Sequence, residues 1–305
     1  MRQYKTLRFF GKHYELFTLS LPAVIYILIM SYLPMVGVII AFKNYHYDKG
    51  ILGSEWIGFK NFEFLFTSDI AFRITRNTIL YNLGYMAIGT ICGLAVAIML
   101  NEIAKKWLKL YQTAMILPFF LSWVVVSYIT LAFLDNENGV LNGWLVFLGL
   151  QKIEWYFKAE YWPYILNLVH LWKGIGFSAL VYYAGILGID AELYDAARID
   201  GAKRMQMVKN VTIPQLTPLI VITLILGIGN MFRGDFGLHY FIPNNSGMTY
   251  PTTDIIDTYV YRALSIIGDI GMASAVGLYQ SVVGLILVLL ANYSVRKINE
   301  DNSLF

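Results

Sequence analysis

The chain has 305 residues, of which 57% are hydrophobic and only 14% charged, with a formal net charge of +3. So little polar surface cannot cover a water-soluble fold, and the solvent for most of the chain is lipid. The 23 lysines and arginines are spread along the sequence, which excludes a nucleic-acid-binding patch. The single cysteine, Cys92, lies in an apolar stretch, which excludes an intrachain disulfide framework and leaves packing as its role.

Six segments satisfy the roughly 20 apolar residues needed to cross a hydrocarbon core. The first covers residues 17–42 and follows Arg2, Lys5, Arg8 and Lys12. It is longer than the roughly 7–15 residues of a signal-peptide core and no small-residue cleavage site follows it, so it is a retained helix behind a cytoplasmic segment, residues 1–16. The second span is 77–100 and the third 111–134, the latter carrying Trp123 and Tyr128. The run 140–148 is apolar but too short to span, and is placed as an amphipathic turn or two on the outer interface. The fourth span, 161–189, holds Asn167, His170, Lys173, Gly174 and Phe177 at spacings of three and four, on one side of the helix. Lys173 is the one charge inside a span; it calls for an anionic partner, water, a substrate carboxylate, or a backbone carbonyl. The fifth span, 215–232, is the shortest and ends in Asn230, Phe232, Arg233 and Asp235. The sixth is 272–295. Backbone groups in lipid must be satisfied within their own segment, so these spans are helices and the fold class is an all-α integral membrane protein.

With the N-terminus inside, the inner segments hold thirteen lysines and arginines and the outer loops nine, which favours both termini in the cytoplasm of a multi-pass protein. Lys43, Lys49, Lys60, Arg73 and Arg76 in the first outer loop weaken that bias.

The loop between the fourth and fifth spans, residues 190–214, is the most informative stretch. Asp190 is placed to cap a helix, Glu192 and Asp195 suit its positive end, and Ala196 and Ala197 propagate it. Gly201 allows a reversal, after which residues 203–210 are expected to form a second short helix that stops before Pro214. Asp195-Ala196-Ala197, three residues, Gly201, nine residues, then Val211, Ile213 and Pro214 resemble the cytoplasmic EAA loop of ABC-importer permeases, with Asp195 for the usual glutamate. Residues 52–62, 118–127 and 250–264 are similar to the branch that imports complex oligosaccharides.

The resemblance covers nearly the whole chain. It implies a single six-helix permease domain, residues 1–305, of type I importer architecture in the bacterial inner (cytoplasmic) membrane. It also implies that 190–214 forms coupling helices held by an ATPase, with Glu192, Asp195, Ala196, Ala197, Gly201 and Pro214 as coupling residues. The partners implied are a second homologous permease, two copies of an ABC ATPase, and an extracellular sugar-binding protein. No Gly-x-x-x-x-Gly-Lys-Ser/Thr loop occurs, and Gly11-Lys12 is followed by His13, so this chain is not an enzyme and binds no cofactor; ATP and magnesium belong to the ATPase.

Candidate sugar contacts are Trp123, Asn167, His170, Lys173, Phe177, Asn230 and Arg233, aromatic faces and planar hydrogen-bonding groups that suit sugar rings and hydroxyls. Lys173 and Arg233 would favour acidic sugars if they line the cavity. The competing function is a self-contained ion-coupled transporter, which calls for intramembrane acids or repeats that the sequence does not offer.

Overall fold

Among the described residues, helices joined by turns make up the fold apart from one short antiparallel ribbon, Lys43–Asn44 against Glu55–Trp56. The computed structural model describes residues 14–298; the basic residues Arg2, Lys5, Arg8 and Lys12 lie outside the described residues. In chain order, α1 (Tyr14–Phe42) passes through a wider π turn and then a 3-10 stretch. Its first two-thirds bury no residue, and its last part packs on the final helix. Ser68, whose side chain accepts from the Ile70 N–H, starts α2 (Asp69–Glu102), 34 residues long. At 1.5 Å per residue that is a rod of about 51 Å.

The third predicted span is not one helix. It is α3 (Lys105–Phe120) and α4 (Trp123–Leu134), bent by 99° at their break. Pro118 sits in the closing 3-10 turn of α3, and Ser122 restarts the chain by accepting from the Val125 N–H. A proline and a hydroxyl cap within a few residues are enough to stop one helix and begin another. The apolar run after Gly139 forms α5 (Val140–Phe147), and α6 (Ala159–Leu187) follows. Next come α7 (Ala191–Ile199) and α8 (Arg204–Gly229).

The short helix expected to stop before Pro214 is instead the start of α8. A π turn at Val208–Thr212 precedes Pro214, and the helix continues beyond it. The wider turn absorbs the clash and missing donor of the proline, which is why the chain neither stops nor reverses there. The molecule closes with α9 (Phe236–Phe241), α10 (Ile256–Arg262) and α11 (Ile270–Lys297). Among the described residues, five helices are long and apolar enough to cross a membrane, six with the bent pair.

α2 and α6 form the central pair. Small residues bring backbones together: a Cβ on Gly93 would stand 2.9 Å from Ser178, and one on Gly176 would overlap the Met115 carbonyl of α3. One apolar core surrounds Tyr81, Val126, Trp162, Leu166 and Ile255 at the end where α2 and α6 begin. A second surrounds Ala97, Leu100, Ala179, Tyr183, Ile186 and Leu216 at the end where they finish. Between these cores lies the cavity described below.

At the first end, α2 holds the segment 230–256 by three side chains. Asn77 donates to the carbonyls of Pro251 and Asp254, at 3.2 and 3.0 Å. Thr78 accepts from the Ile256 N–H at 3.0 Å, and Asn82 donates to the carbonyls of Met231 and Arg233 at 3.0 Å. From the end of α10, Arg262 reaches back to that segment, pairing with buried Asp254 at 2.7 Å and lying 4.1 Å from the Tyr250 ring centroid. At the other end, Arg204 meets Glu102, the last residue of α2, at 2.8 Å.

Candidate functional site

The loop 190–214 builds a protruding corner from local rules. The Asp190 carboxylate accepts from the Glu192 N–H at 3.0 Å and starts α7. Gly201 has φ +75°, and the helix ends in a paired reversal: Ala202 N–H reaches the Ala197 carbonyl at 2.9 Å and Gly201 N–H that of Arg198 at 3.0 Å. This double bond pattern satisfies the last carbonyls of α7 and requires the left-handed backbone that glycine adopts without strain. Lys203 N–H then donates to the Gln206 side chain at 2.7 Å, which starts α8.

Glu192, Asp195, Ala196 and Ile199 fall at helical spacing on the outer face of α7, all exposed, with Ile199 86% exposed and Met205 of α8 76%. Asp195 pairs with Arg198 at 2.7 Å in the open, an arrangement worth about 1 kcal/mol or less by itself. The inner side of α7 is tied to the bundle by a hydrogen bond between the Tyr194 and Thr212 hydroxyls, 2.9 Å. Behind the loop lies a cleft of about 300 Å³ that includes Glu102, Tyr194, Asp195, Arg198, Arg204 and Thr212. Of the six residues singled out in this loop, Ala197 supplies a carbonyl to the reversal and Gly201 its turn, while Pro214 sits within α8.

A cavity of about 340 Å³ lies among α2, α6 and α8, with Asn82, Tyr85, His170, Phe177, Asn230 and Asp235 in its wall. Three of the seven candidate sugar contacts, His170, Phe177 and Asn230, therefore come together. The other four do not line it. Lys173 Nζ donates to the Phe119 carbonyl at 2.7 Å and stands 5.3 and 5.0 Å from the ring centroids of Phe119 and Trp123. Phe119 is at the α3–α4 break, where helical carbonyls lose their own donors, so the lysine caps the broken span. Trp123 packs on Gly237 of α9, where a Cβ would overlap its ring. Arg233 donates to the Ser281 hydroxyl at 3.0 Å. Asn167 lines a separate cleft at the end where α2 and α6 begin.

Among the cavity residues that sequence reasoning did not select are Asn82 and Tyr85, while Asp235 was noted only as lying at the end of the fifth span. Asn82 and Tyr85 sit three apart in a largely apolar span, a signal of the same kind that exposed the face of α6. Tyr85 stacks on His170, with centroids 3.9 Å apart and planes at 13°. Its hydroxyl is 3.0 Å from His239 Nε2, and His239 Nδ1 is 2.8 Å from the Thr253 carbonyl. A carbonyl accepts only, so Nδ1 carries the proton and Nε2 accepts from the tyrosine. Burial pushes His239 down to about 4, against the opposing pull of the Thr253 carbonyl. Burial pushes the Asp235 carboxyl up, while the N–H groups of Leu238 and Gly237 pull the other way. The wall thus offers aromatic faces, amides and one carboxylate, and no lysine or arginine.

The model of the family described as "Binding-protein-dependent transport system inner membrane component" matches residues 86–300. The polygalacturonan/rhamnogalacturonan transport system permease protein YteP of Bacillus subtilis (strain 168) is 36% identical over 287 residues, covering 94% of this chain and 89% of that one. Protein LplB of the same organism is 34% identical, with 94% and 90% covered. Among solved structures, a chain of a bacterial ABC transporter involved in the import of the acidic polysaccharide alginate superposes with a TM-score of 0.88 at 32% identity, covering 98% of this chain and all (100%) of that one. A chain of the bacterial alginate ABC transporter in complex with an alginate pentasaccharide-bound periplasmic protein gives a TM-score of 0.86, also at 32% identity, with 95% and 97% covered.

Proposed function

Since the chain belongs to the inner-membrane component family of binding-protein-dependent transport systems, we propose that it forms one half of the membrane pore of an ABC importer and passes an oligosaccharide into the cytoplasm. The observation that carries this reading is the exposed corner at 190–214, whose α7 face and Gly201 reversal stand clear of the bundle while Tyr194 and Arg204 tie it back. In this reading that corner faces the cytoplasm, both termini lie on the same side, and the segment 230–256 faces outward.

Two copies of an ATPase, which hold ATP and magnesium, grip the corners of this chain and of a second, homologous permease. An extracellular sugar-binding protein delivers cargo to the outer face. ATP-driven closure moves the corner inward, and the attached helices open the cavity outward; hydrolysis returns it to the inner side. Coupling here is contact between two-state elements, so damage to the corner spares the helices and separates ATP turnover from uptake. The cavity suits a sugar because its aromatic faces meet C–H surfaces while Asn82, Asn230 and Asp235 meet hydroxyls. Relatives named for polygalacturonan and alginate transport support a carbohydrate cargo.

The test is affinity purification of the solubilised chain from its native membrane, comparing the natural sequence with one in which residues 195–201 are scrambled. A second permease and an ATPase accompany the natural chain and not the scrambled one. A natural chain that purifies alone and transports without ATP after reconstitution is an ion-coupled transporter and overturns the proposal.

A further inference from the structure

A second cleft, of about 290 Å³, opens between the outward ends of α2 and α6 and shares no lining residue with the central cavity. Its wall includes Arg76, Leu80, Tyr81, Pro163, Asn167 and Thr252, with no acidic residue. We infer that this cleft is a subsite for a sugar acid, a hydroxylated ring bearing a carboxylate, with Arg76 reading the charge. The inference rests on the carbohydrate reading above and deepens it.

Three observations on the wall converge. Arg76 is exposed, donates to the Asn77 side chain at 3.2 Å, and takes no part in the ion pairs among the described residues. A guanidinium has five donors in a planar fork that matches a carboxylate, so most of its capacity is open. The Tyr81 hydroxyl and Asn167 Oδ1 are buried without a partner. Buried polar groups are normally satisfied, and two orphans on residues that line one cleft mark a place where a ligand supplies the partner. Finally, Leu80 and Pro163 give an apolar patch for the C–H face of a ring.

The chemistry of the orphans selects the ligand. Asn167 Nδ2 already donates to the Pro163 carbonyl at 2.7 Å, and Oδ1 only accepts, so the ligand must bring a donor, which a sugar does with its hydroxyls. A bare carboxylate has no proton to give at neutral pH, and a phosphatidylglycerol headgroup, which has both an anion and hydroxyls, is separated from a sugar acid by the lipid comparison below. A sugar acid supplies both an anion for Arg76 and hydroxyls for Asn167 and Tyr81. The size fits as well, at the lower limit of the roughly 300–1,000 Å³ of small-molecule clefts. Neither Lys173 nor Arg233 competes for this role, since the first is held by the Phe119 carbonyl and the second by Ser281.

The experiment is equilibrium binding of a galacturonate disaccharide and of its neutral galactose counterpart to the purified complex of both permeases and the ATPases, without the external binding protein. It is run in phosphatidylcholine and in phosphatidylglycerol. Arg76→Gln weakens the acid about tenfold to a hundredfold, the range for a hydrogen bond to a charged group, and leaves the neutral sugar unchanged in both lipids. Arg76→Lys restores part of the loss, and Tyr81→Phe weakens both sugars alike. Unchanged acid binding in Arg76→Gln overturns the subsite, as does an effect confined to phosphatidylglycerol, which makes Arg76 a lipid contact. If the natural complex binds neither sugar, the carbohydrate reading falls with it; if it binds both and Arg76→Gln changes neither, only the subsite falls.

Discussion

Lys173 shows how a charge inside a membrane helix is kept without lining the central cavity. Its ammonium lies on a carbonyl at the α3–α4 break and over two aromatic rings, which replaces part of its lost hydration. Lys173→Met leaves the Phe119 carbonyl unpaired at a helix end and lowers the stability of the purified complex by about 1–3 kcal/mol, read as a drop in thermal midpoint. Preference between acidic and neutral sugars stays as it was. His239 makes a second residue-scale prediction. Its ordinary value of 6.5 falls to about 4 in the folded chain, so between those values the unfolded chain binds more protons. The contribution of this residue is constant above pH 6.5 and stability falls as the pH drops from 6.5 toward 4. Thermal midpoints measured across that window fall less steeply for His239→Gln than for the natural chain.

At the scale of elements, α2 joins the two ends of the molecule. One end meets the 190–214 corner through Glu102 and Arg204, and the other holds the segment 230–256 through Asn77, Thr78 and Asn82. The ion pair is exposed, 82% at Arg204 and 48% at Glu102, so its loss changes stability by about 1 kcal/mol or less. Its effect is on transmission. Glu102→Lys lowers the sugar carried per ATP hydrolysed in proteoliposomes, and adding Arg204→Glu recovers it; equal uptake per ATP in all variants would leave the pair without a role in coupling. The helices and the corner were legible because apolar length, Asp190 and Gly201 each act locally. The π turn that carries α8 through Pro214 was not, since a proline after a short polar helix looks like a stop until the helix behind it is seen to continue. The α3–α4 break was equally hidden, because its apolar run is uninterrupted and only Pro118 and Ser122 mark the bend.

For the molecule as a whole, pore and corner are parts of one frame. The cavity lies between two cores, one at each end, and is bounded by the same α2–α6 pair whose close approach depends on Gly93. Sequence reasoning found the α6 side of the cavity and Asn230; the α2 side was missed although Asn82 and Tyr85 stand at helical spacing, because the long apolar run around them reads first as a span. The length of α2 carries a consequence for how such chains diverge. Each residue added to a helix turns everything beyond it by about 100° and advances it about 1.5 Å. One insertion between Asn82 and Glu102 would swing Glu102 away from Arg204 while Asn77 stayed on Pro251. Descendants of this protein that still function are therefore free to gain or lose residues between helices, whereas between these two anchors an insertion survives only when a second change restores the phase.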